Sequence, residues 1–210
     1  RYQGEGIVDF IMSLTSREKP EIMVLCSVRN ISAQSLKKIA GRCERLVVVD
    51  EEVSARFGLP SSLSPDRTAS IIASRFLFKN RSCSIFDLGT VITVDFLDGE
   101  GNHKGGNISP GFRTRFRSVN RYTRNIPLFD IPDETLETGT DIATSVSSGI
   151  VSGIMFELEG YMSNNPENIN VFTGGDAIYF AKRMKNSIFV VCNLVLMGLA
   201  LIAVEYDKKD

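Results

Sequence analysis

The chain has 210 residues, of which 43% are hydrophobic and 23% charged, with 24 Lys and Arg against 25 Asp and Glu. Soluble domains run to roughly 100–200 residues, so this length predicts one large domain or two small ones. The hydrophobic fraction is large enough to form a buried core, so the composition excludes a mainly disordered chain. The net charge of −1 gives no support for a nucleic-acid or membrane partner.

Cysteine and histidine content argues against several kinds of site. The cysteines are too far apart in sequence for a CxxC pair: Cys26, Cys43, Cys83 and Cys192. A single histidine, His103, leaves little for a zinc site or a Ser-His-Asp triad, and we expect it to be exposed in a loop. Unpaired cysteines favour a cytoplasmic protein.

The two ends of the chain carry no targeting or membrane signal. The chain begins without Met and does not open on a signal peptide, so we expect its natural N-terminus to lie upstream of Arg1. The longest apolar stretch, residues 189–204, is interrupted by Asn193 and is shorter than the ~20 residues of a membrane span. It predicts a buried strand followed by a buried helix.

The first third of the chain predicts an α/β unit. A continuous apolar run over residues 22–28 is typical of a strand covered on both faces. A helix over residues 32–42 and a second strand over residues 46–49 follow it. After a loop, Ser64 is a good N-cap and Pro65 suits the first helical position, so a helix should run to about residue 78.

Antiparallel hairpins replace this pattern after residue 82. Residues 84–98 read as strands broken at Gly89, and a turn at residues 98–102 leads into a strand that ends near Ile108. The change places a domain boundary between residues 1–82 and 83–210. The remaining predicted elements are helices to about residue 123, over 141–161 and over 194–205, and strands over 170–173 and 187–191.

Glycine-containing turns provide two candidate phosphate sites. Gly89 lets the backbone approach a phosphate, Thr90 adds a hydroxyl, and Asp87 offers a carboxylate for a cation. The alternative is a hairpin bend with polar residues. Gly174 and Gly175 end a strand before a helix, which is typical of nucleotide sites and of simple turns.

Charged side chains at the start of the predicted second helix are a further candidate. Asp66 and Arg67 could act as base and anion clamp, although an acidic first turn also stabilises any helix. An arginine-rich helix follows Gly111, but its arginines are spread around the helix, which favours a solvated face over nucleic-acid binding.

Taken in order, these motifs resemble the type III pantothenate kinases, also named Baf-type regulators. The resemblance runs from about residue 23 to 205 and rests on CSV at 26–28, PDR at 65–67, DLGTVITVD at 87–95, GGNISPG at 105–111, YTRNIP at 122–127, TGGDA at 173–177 and NLVLMGLAL at 193–201.

The resemblance implies an α/β fold of the actin and sugar-kinase superfamily, with two ribonuclease-H-like domains, mixed sheets, flanking helices and an active site in the cleft. It implies transfer of the ATP γ-phosphoryl group to pantothenate, the first step of coenzyme A synthesis. The implied cofactors are Mg²⁺ and a monovalent cation, K⁺ or NH₄⁺. The implied assembly is a homodimer.

The resemblance also implies roles for individual residues. Asp66 resembles the general base, facing the nucleotide cleft, and Asp87 resembles the monovalent-cation ligand. The remaining implied contacts are with substrate at Phe57, Ser64, Pro65, Arg67 and Ile142, and with nucleotide at Gly89, Thr90, Gly174 and Gly175.

The chain departs from the family pattern at several points. The family opens with a strand and a DxGNT phosphate loop, which we expect upstream of Arg1 if ATP binds as in the family. Ile142 stands where the family has a pantothenate-binding threonine, Ser64 where it usually has glycine, and Val91 where it has alanine. These differences leave a non-catalytic, kinase-like scaffold or regulatory protein as the alternative function.

Overall fold

A computed structural model describes residues 6–208. The chain forms two compact units: the first unit runs up to Ala73 and resumes at Leu194, and the second unit is Ser74–Asn193. The sequence instead assigned residues 83–210 to the second domain. The difference at the C-terminus has a physical cause, because the last helix packs on elements of the first unit.

The first unit is built around two parallel strands joined by a helix. Its elements in the described residues are α1 (Ile7–Leu14), β1 (Ile22–Leu25), α2 (Ala33–Ala40), β2 (Arg45–Val48), α3 (Glu51–Arg56), most of α4 (Pro65–Leu77) and α8 (Leu194–Asp207). β1 pairs with β2 in parallel, with Ile22 opposite Arg45. Ser32 caps α2 by accepting a hydrogen bond from the Ser35 N–H. The predicted strand–helix–strand order is confirmed.

Close backbone packing attaches α8 to the first unit. A Cβ on Gly198 would overlap the carbonyl oxygen of Ala69 in α4, so the two helices approach at a position where only glycine fits. Leu194 and Ile202 lie on the same buried face of α8. This packing explains why the C-terminal helix belongs with the N-terminal elements.

The second unit is a five-stranded mixed sheet with flanking helices. Its further elements are β3 (Cys83–Leu88), β4 (Val91–Leu97), β5 (His103–Pro110), α5 (Phe112–Tyr122), α6 (Ile142–Asn164), β6 (Ile169–Thr173), α7 (Ala177–Ala181) and β7 (Ile188–Val190). The strand order is β5-β4-β3-β6-β7. The β3–β4 and β4–β5 pairs are antiparallel, and the β3–β6 and β6–β7 pairs are parallel. The predicted hairpins at residues 84–108 are therefore confirmed.

Aromatic and aliphatic side chains of the sheet and helices form the core of the second unit. Phe86 on β3 and Phe172 on β6 are fully buried, with ring centroids 5.1 Å apart. Ile154 and Leu158 on α6 belong to the same cluster. This core holds the central strand β3 in place, and β3 carries Asp87 at its carboxyl end.

The prediction for His103 was wrong. The side chain is 7% exposed, and its Nε2 lies 2.7 Å from Oδ1 of Asp95, itself buried on the neighbouring strand.

No helix in the described part of the chain combines the length and hydropathy needed to cross a bilayer.

Candidate functional site

The first candidate group lies in the first turn of α4. The Ser64 hydroxyl donates to Oδ1 of Asp66 at 2.5 Å, and the Arg67 backbone N–H donates to the same oxygen at 2.9 Å. The carboxylate lies at the helix N-terminus, where the helix dipole stabilises negative charge. The local sequence thus holds one Asp66 oxygen in a fixed position on a half-buried side chain.

Cys26 lies in the electrostatic environment of this carboxylate. Burial, and to a smaller extent the negative charge of Asp66, raises the pKa of the Cys26 thiol to about 12. Cys26 directly follows β1, so Asp66 is near the carboxyl end of that strand. Ligands of α/β sheets commonly bind at this end of the strands.

The second candidate group lies at the carboxyl end of β3. Asp87 occupies the central strand of the second unit, opposite Thr93 on one side and Thr173 on the other. Gly89 and Thr90 follow in the turn to β4, where the Gly89 N–H donates to the carbonyl of Val91 at 3.1 Å. The structure therefore places the predicted DLGT motif at the carboxyl end of the central strand β3 and in the tight turn that follows it.

The turn after β6 lies directly against Asp87. Gly174 has a φ of +90°, and a Cβ there would be 2.5 Å from Oδ1 of Asp87 and 2.5 Å from the carbonyl oxygen of Leu88. The Asp176 backbone N–H donates to the same Leu88 carbonyl at 2.9 Å. Glycine is needed at this position because both the conformation and the approach exclude a side chain.

A second glycine approaches the same turn from α5. A Cβ on Gly111 would overlap the backbone carbonyls of Gly89 and Thr90. The Gly111 N–H and the Thr114 hydroxyl both donate to the Thr90 carbonyl, at 3.0 Å and 2.5 Å. Thr90 itself is exposed, so its side chain is accessible while its backbone is fixed.

Asp176 belongs to this group, although no role was predicted for it from the sequence. Burial raises the pKa of its carboxyl group, and the positive charge of Arg113 opposes that shift. Its position directly after Gly174 and Gly175 was the signal that could have found it. Its backbone N–H donates to the Leu88 carbonyl, and its half-buried carboxyl group adds a second acidic residue to the turns at this end of the sheet.

The remaining predicted residues lie on other parts of their units. Phe57 is half-buried at the C-cap of α3, and Pro65 is the first residue of α4. Ile142 is the first residue of α6 and is 59% exposed, next to a capping box formed by Asp141 and Thr144. Gly175, next to Gly174, is exposed, and a Cβ there would have no atom within 4 Å.

The acidic side chains of the candidate site would bind a metal ion only if a bound substrate supplied further oxygen ligands. Within residues 6–208, no three His, Cys, Asp or Glu side chains cluster as a metal site would require. Mg²⁺ in nucleotide sites commonly uses one or two carboxylates together with phosphate oxygens. The single carboxylate of Asp87 could hold a cation only together with other oxygen ligands, such as those of a phosphate.

Solved structures with the same fold define the class of protein. A Campylobacter jejuni protein described as a Baf family transcriptional activator aligns with a TM-score of 0.66 at 19% identity, over 97% of this chain and 89% of that one. A Sinorhizobium meliloti protein described as a 2-dehydro-3-deoxygalactonokinase gives 0.63 at 13% identity, over 98% and 87%. MreB5 of Spiroplasma citri bound to AMPPNP gives 0.51 at 13%, over 97% and 76%. The chain shares its fold with these proteins, which is the fold expected from the resemblance to the actin and sugar-kinase superfamily.

Sequence relatives identify the family within that class. The family model for type III pantothenate kinase matches residues 3–164. A type III pantothenate kinase of Azobacteroides pseudotrichonymphae is 32% identical over 208 residues, covering 96% of this chain and 84% of the relative. One of Cytophaga hutchinsonii is 34% identical over 194 residues, covering 90% and 83%. The chain belongs to the type III pantothenate kinase family, which confirms the predicted resemblance.

Proposed function

We propose that this chain transfers the γ-phosphoryl group of ATP to the primary hydroxyl of pantothenate, giving 4'-phosphopantothenate. Family membership supports this activity. The observation that carries the mechanism is the fixed carboxylate of Asp66, whose Oδ1 accepts hydrogen bonds from Ser64 and from the Arg67 backbone. The other oxygen, Oδ2, is assigned to the hydroxyl of pantothenate.

Asp66 acts as the general base in this proposal. Its carboxylate orients the attacking hydroxyl and accepts its proton as the phosphorus–oxygen bond forms. Arg67 binds the substrate as an anion clamp, since a guanidinium group pairs well with a carboxylate. Phe57, Ser64 and Pro65 complete the substrate contacts on the first unit.

The turn at the carboxyl end of β3 binds the nucleotide in this proposal. Backbone N–H groups next to Gly89 and Gly174, with the Thr90 hydroxyl, suit phosphate oxygens because glycine leaves no side chain in the way. The Gly89 N–H itself donates to the Val91 carbonyl. Gly175 adds an exposed backbone position next to them. Mg²⁺ bound to the phosphates supplies charge neutralisation. Asp87 holds a monovalent cation, K⁺ or NH₄⁺.

Coupled measurement of ADP release tests the assignment of the base. Asp66→Asn should lower pantothenate-dependent kcat by about 10²–10⁴-fold with an unchanged circular dichroism spectrum. Glu52→Gln is a matched control, because Glu52 is an exposed acid in the first turn of α3 and should leave turnover unchanged. Near-wild-type turnover of Asp66→Asn would overturn the base assignment.

We keep a non-catalytic scaffold as the second candidate, because the resemblance places Ile142 where the family has a substrate-binding threonine. The side chain is exposed at the start of α6 and offers no hydrogen bond. Losing one such bond costs about 1 kcal/mol or more. Ligand binding without any pantothenate-dependent ADP release by the unsubstituted chain would favour the scaffold.

Cation dependence, assembly and location belong to the same proposal. Asp87→Ala should weaken the stimulation of ADP release by K⁺ and NH₄⁺, and an unchanged response would reject that role. We propose a homodimer, supported by the exposed Ile108 and Phe156 side chains of the second unit, with light scattering as the test. The free state of all four cysteines supports a cytoplasmic location.

A further inference from the structure

A cavity of about 220 Å³ lies at the C-terminal end of α4, within the second unit. Its lining includes Ser74 and Phe78 from the chain around that helix end and Leu97 from the end of β4. Cys83 pairs with Leu97, whereas Leu88 pairs with Ile92 at the opposite end of the same two strands. The cavity is therefore at the other end of β3 from Asp87, about 13 Å away at 3.3 Å per residue.

The charge of the cavity is positive. Three cationic residues line it, Arg75, Lys79 and Arg81, against one acidic residue, Glu100. Asp98 lies close enough to influence Arg75 electrostatically, so the local balance remains at one net positive charge or more. Lys79 and Arg81 are exposed and accessible to a ligand from solvent.

One cation in the cavity is held in a fixed position. Nε of Arg75 donates to the carbonyl of Gly101 at 2.6 Å. Gly101 has a φ of +82°, and a Cβ there would lie 3.3 Å from the Arg75 side chain. The Arg75 side chain is half-buried, and this burial lowers the pKa of its guanidinium.

A buried hydroxyl on a residue that lines the cavity lacks a partner. The Ser74 side chain is fully buried, and its Oγ has no hydrogen bond to the described part of the chain. An unsatisfied buried hydroxyl costs about 1–3 kcal/mol, so its presence needs an explanation. A rotation of the Ser74 side chain toward the cavity would let a bound oxyanion supply the missing acceptor.

We propose that this cavity binds a small phosphate-bearing molecule. Arg81, Lys79 and the Ser74 hydroxyl contact the phosphate, and the apolar walls at Phe78 and Leu97 contact a small organic body. The volume suits a phosphomonoester rather than a whole nucleotide, because pockets for drug-sized ligands start near 300 Å³. The site is separate from the proposed phosphoryl-transfer residues and does not depend on their function.

Titration followed by amide chemical shifts of the isotope-labelled chain tests the proposal. Inorganic phosphate, glycerol 3-phosphate and glycerol are added separately. We expect saturable shifts at the Arg81 and Gly101 amides with the two phosphates and none with glycerol. Tighter binding of glycerol 3-phosphate identifies a phosphomonoester as the ligand, and equal binding identifies free phosphate. Shifts that increase linearly without saturation, or that occur only near Asp87, overturn the proposal.

Substitutions separate a built site from nonspecific attraction. Lys79→Gln with Arg81→Gln should weaken phosphate binding at least tenfold, because charge-assisted hydrogen bonds dominate anion binding. Lys37→Gln with Lys38→Gln removes the same charge from exposed positions of α2 and should change nothing. Equal affinity in both double variants would overturn the proposal.

Ser74→Ala provides a second and independent test of the same site. Because it removes an unpartnered buried hydroxyl, the unliganded chain should be no less stable in urea. Binding of glycerol 3-phosphate should nevertheless weaken several-fold. Unchanged affinity would show that the hydroxyl does not contact the ligand and would reject the proposed contact.

Discussion

Gly174→Ala tests whether close backbone packing positions Asp87. The substitution adds a single methyl group in the turn after β6. That methyl group would lie 2.5 Å from the Leu88 carbonyl oxygen and 2.5 Å from Oδ1 of Asp87. The carboxylate can move aside, but the Leu88 carbonyl belongs to the central strand and accepts a hydrogen bond from Asp176. Relief therefore requires the turn itself to shift.

The expected loss of stability has two sources. A residue with a Cβ at φ +90° is strained by about 1–2 kcal/mol relative to glycine. Overlap with well-packed backbone adds roughly 1–3 kcal/mol. Gly174→Ala should thus lower the free energy of unfolding by about 2–5 kcal/mol. For a chain of this size, that corresponds to a Tm decrease of at least about 4 °C.

Gly175→Ala is the matched control for this substitution. The neighbouring glycine is exposed, has no positive φ and would place its Cβ with nothing within 4 Å. Its effect should stay within about 0.5 kcal/mol, as is usual for surface positions. Urea unfolding of the two variants measures the difference directly. Equal urea midpoints for the two variants would refute the argument that the backbone around Gly174 cannot move to make room for a methyl group.

Three further predictions concern stability. His103→Ala should cost about 1–3 kcal/mol in urea unfolding, because the buried Asp95 loses a hydrogen-bond partner; an unchanged midpoint would contradict this. Gly198→Ala should destabilise the chain through α8 packing, whereas Gly149→Ala, in an open helical position, should stabilise it by about 0.5–1 kcal/mol. Because the folded chain holds the Cys26 proton more tightly than the unfolded chain, the free energy of unfolding depends on pH. The contribution of Cys26 is fully present below pH 9.0, its ordinary pKa, and is lost as the pH rises toward about 12. Urea midpoints should therefore fall less steeply above pH 9 in Cys26→Ala.

Local patterns in the sequence predicted most of the secondary structure. The apolar runs, the hairpin turns and the Ser64-Pro65 helix start all act over a few residues, and β3, β4 and α4 formed within a few residues of expectation. Two helices, α1 and α3, were not assigned. The six residues of α3 are too few to show a helical period, and its capping by Asp50 is the stronger signal.

Two features that the sequence did not predict, the burial of His103 and the packing of α8 on the first unit, depend on contacts between distant parts of the chain. His103 follows a turn, but a register shift between Phe96 and Leu97 places it against Asp95 and away from solvent. The membership of α8 in the first unit depends on Gly198 meeting Ala69. Neither contact leaves a periodic signal, because each depends on how separate elements pack.

Glycines in this chain carry more positional information than the charged residues do. Gly111 and Gly174 approach residues 88–90 from two different helix–strand junctions, and each occupies a position that excludes any side chain. The motifs containing them were readable because such an approach permits only one residue type. The cationic residues around Ser74 have no such constraint, since arginine and lysine are tolerated on any solvated surface. A site made from them becomes visible only when the fold gathers them beside a buried hydroxyl without a partner.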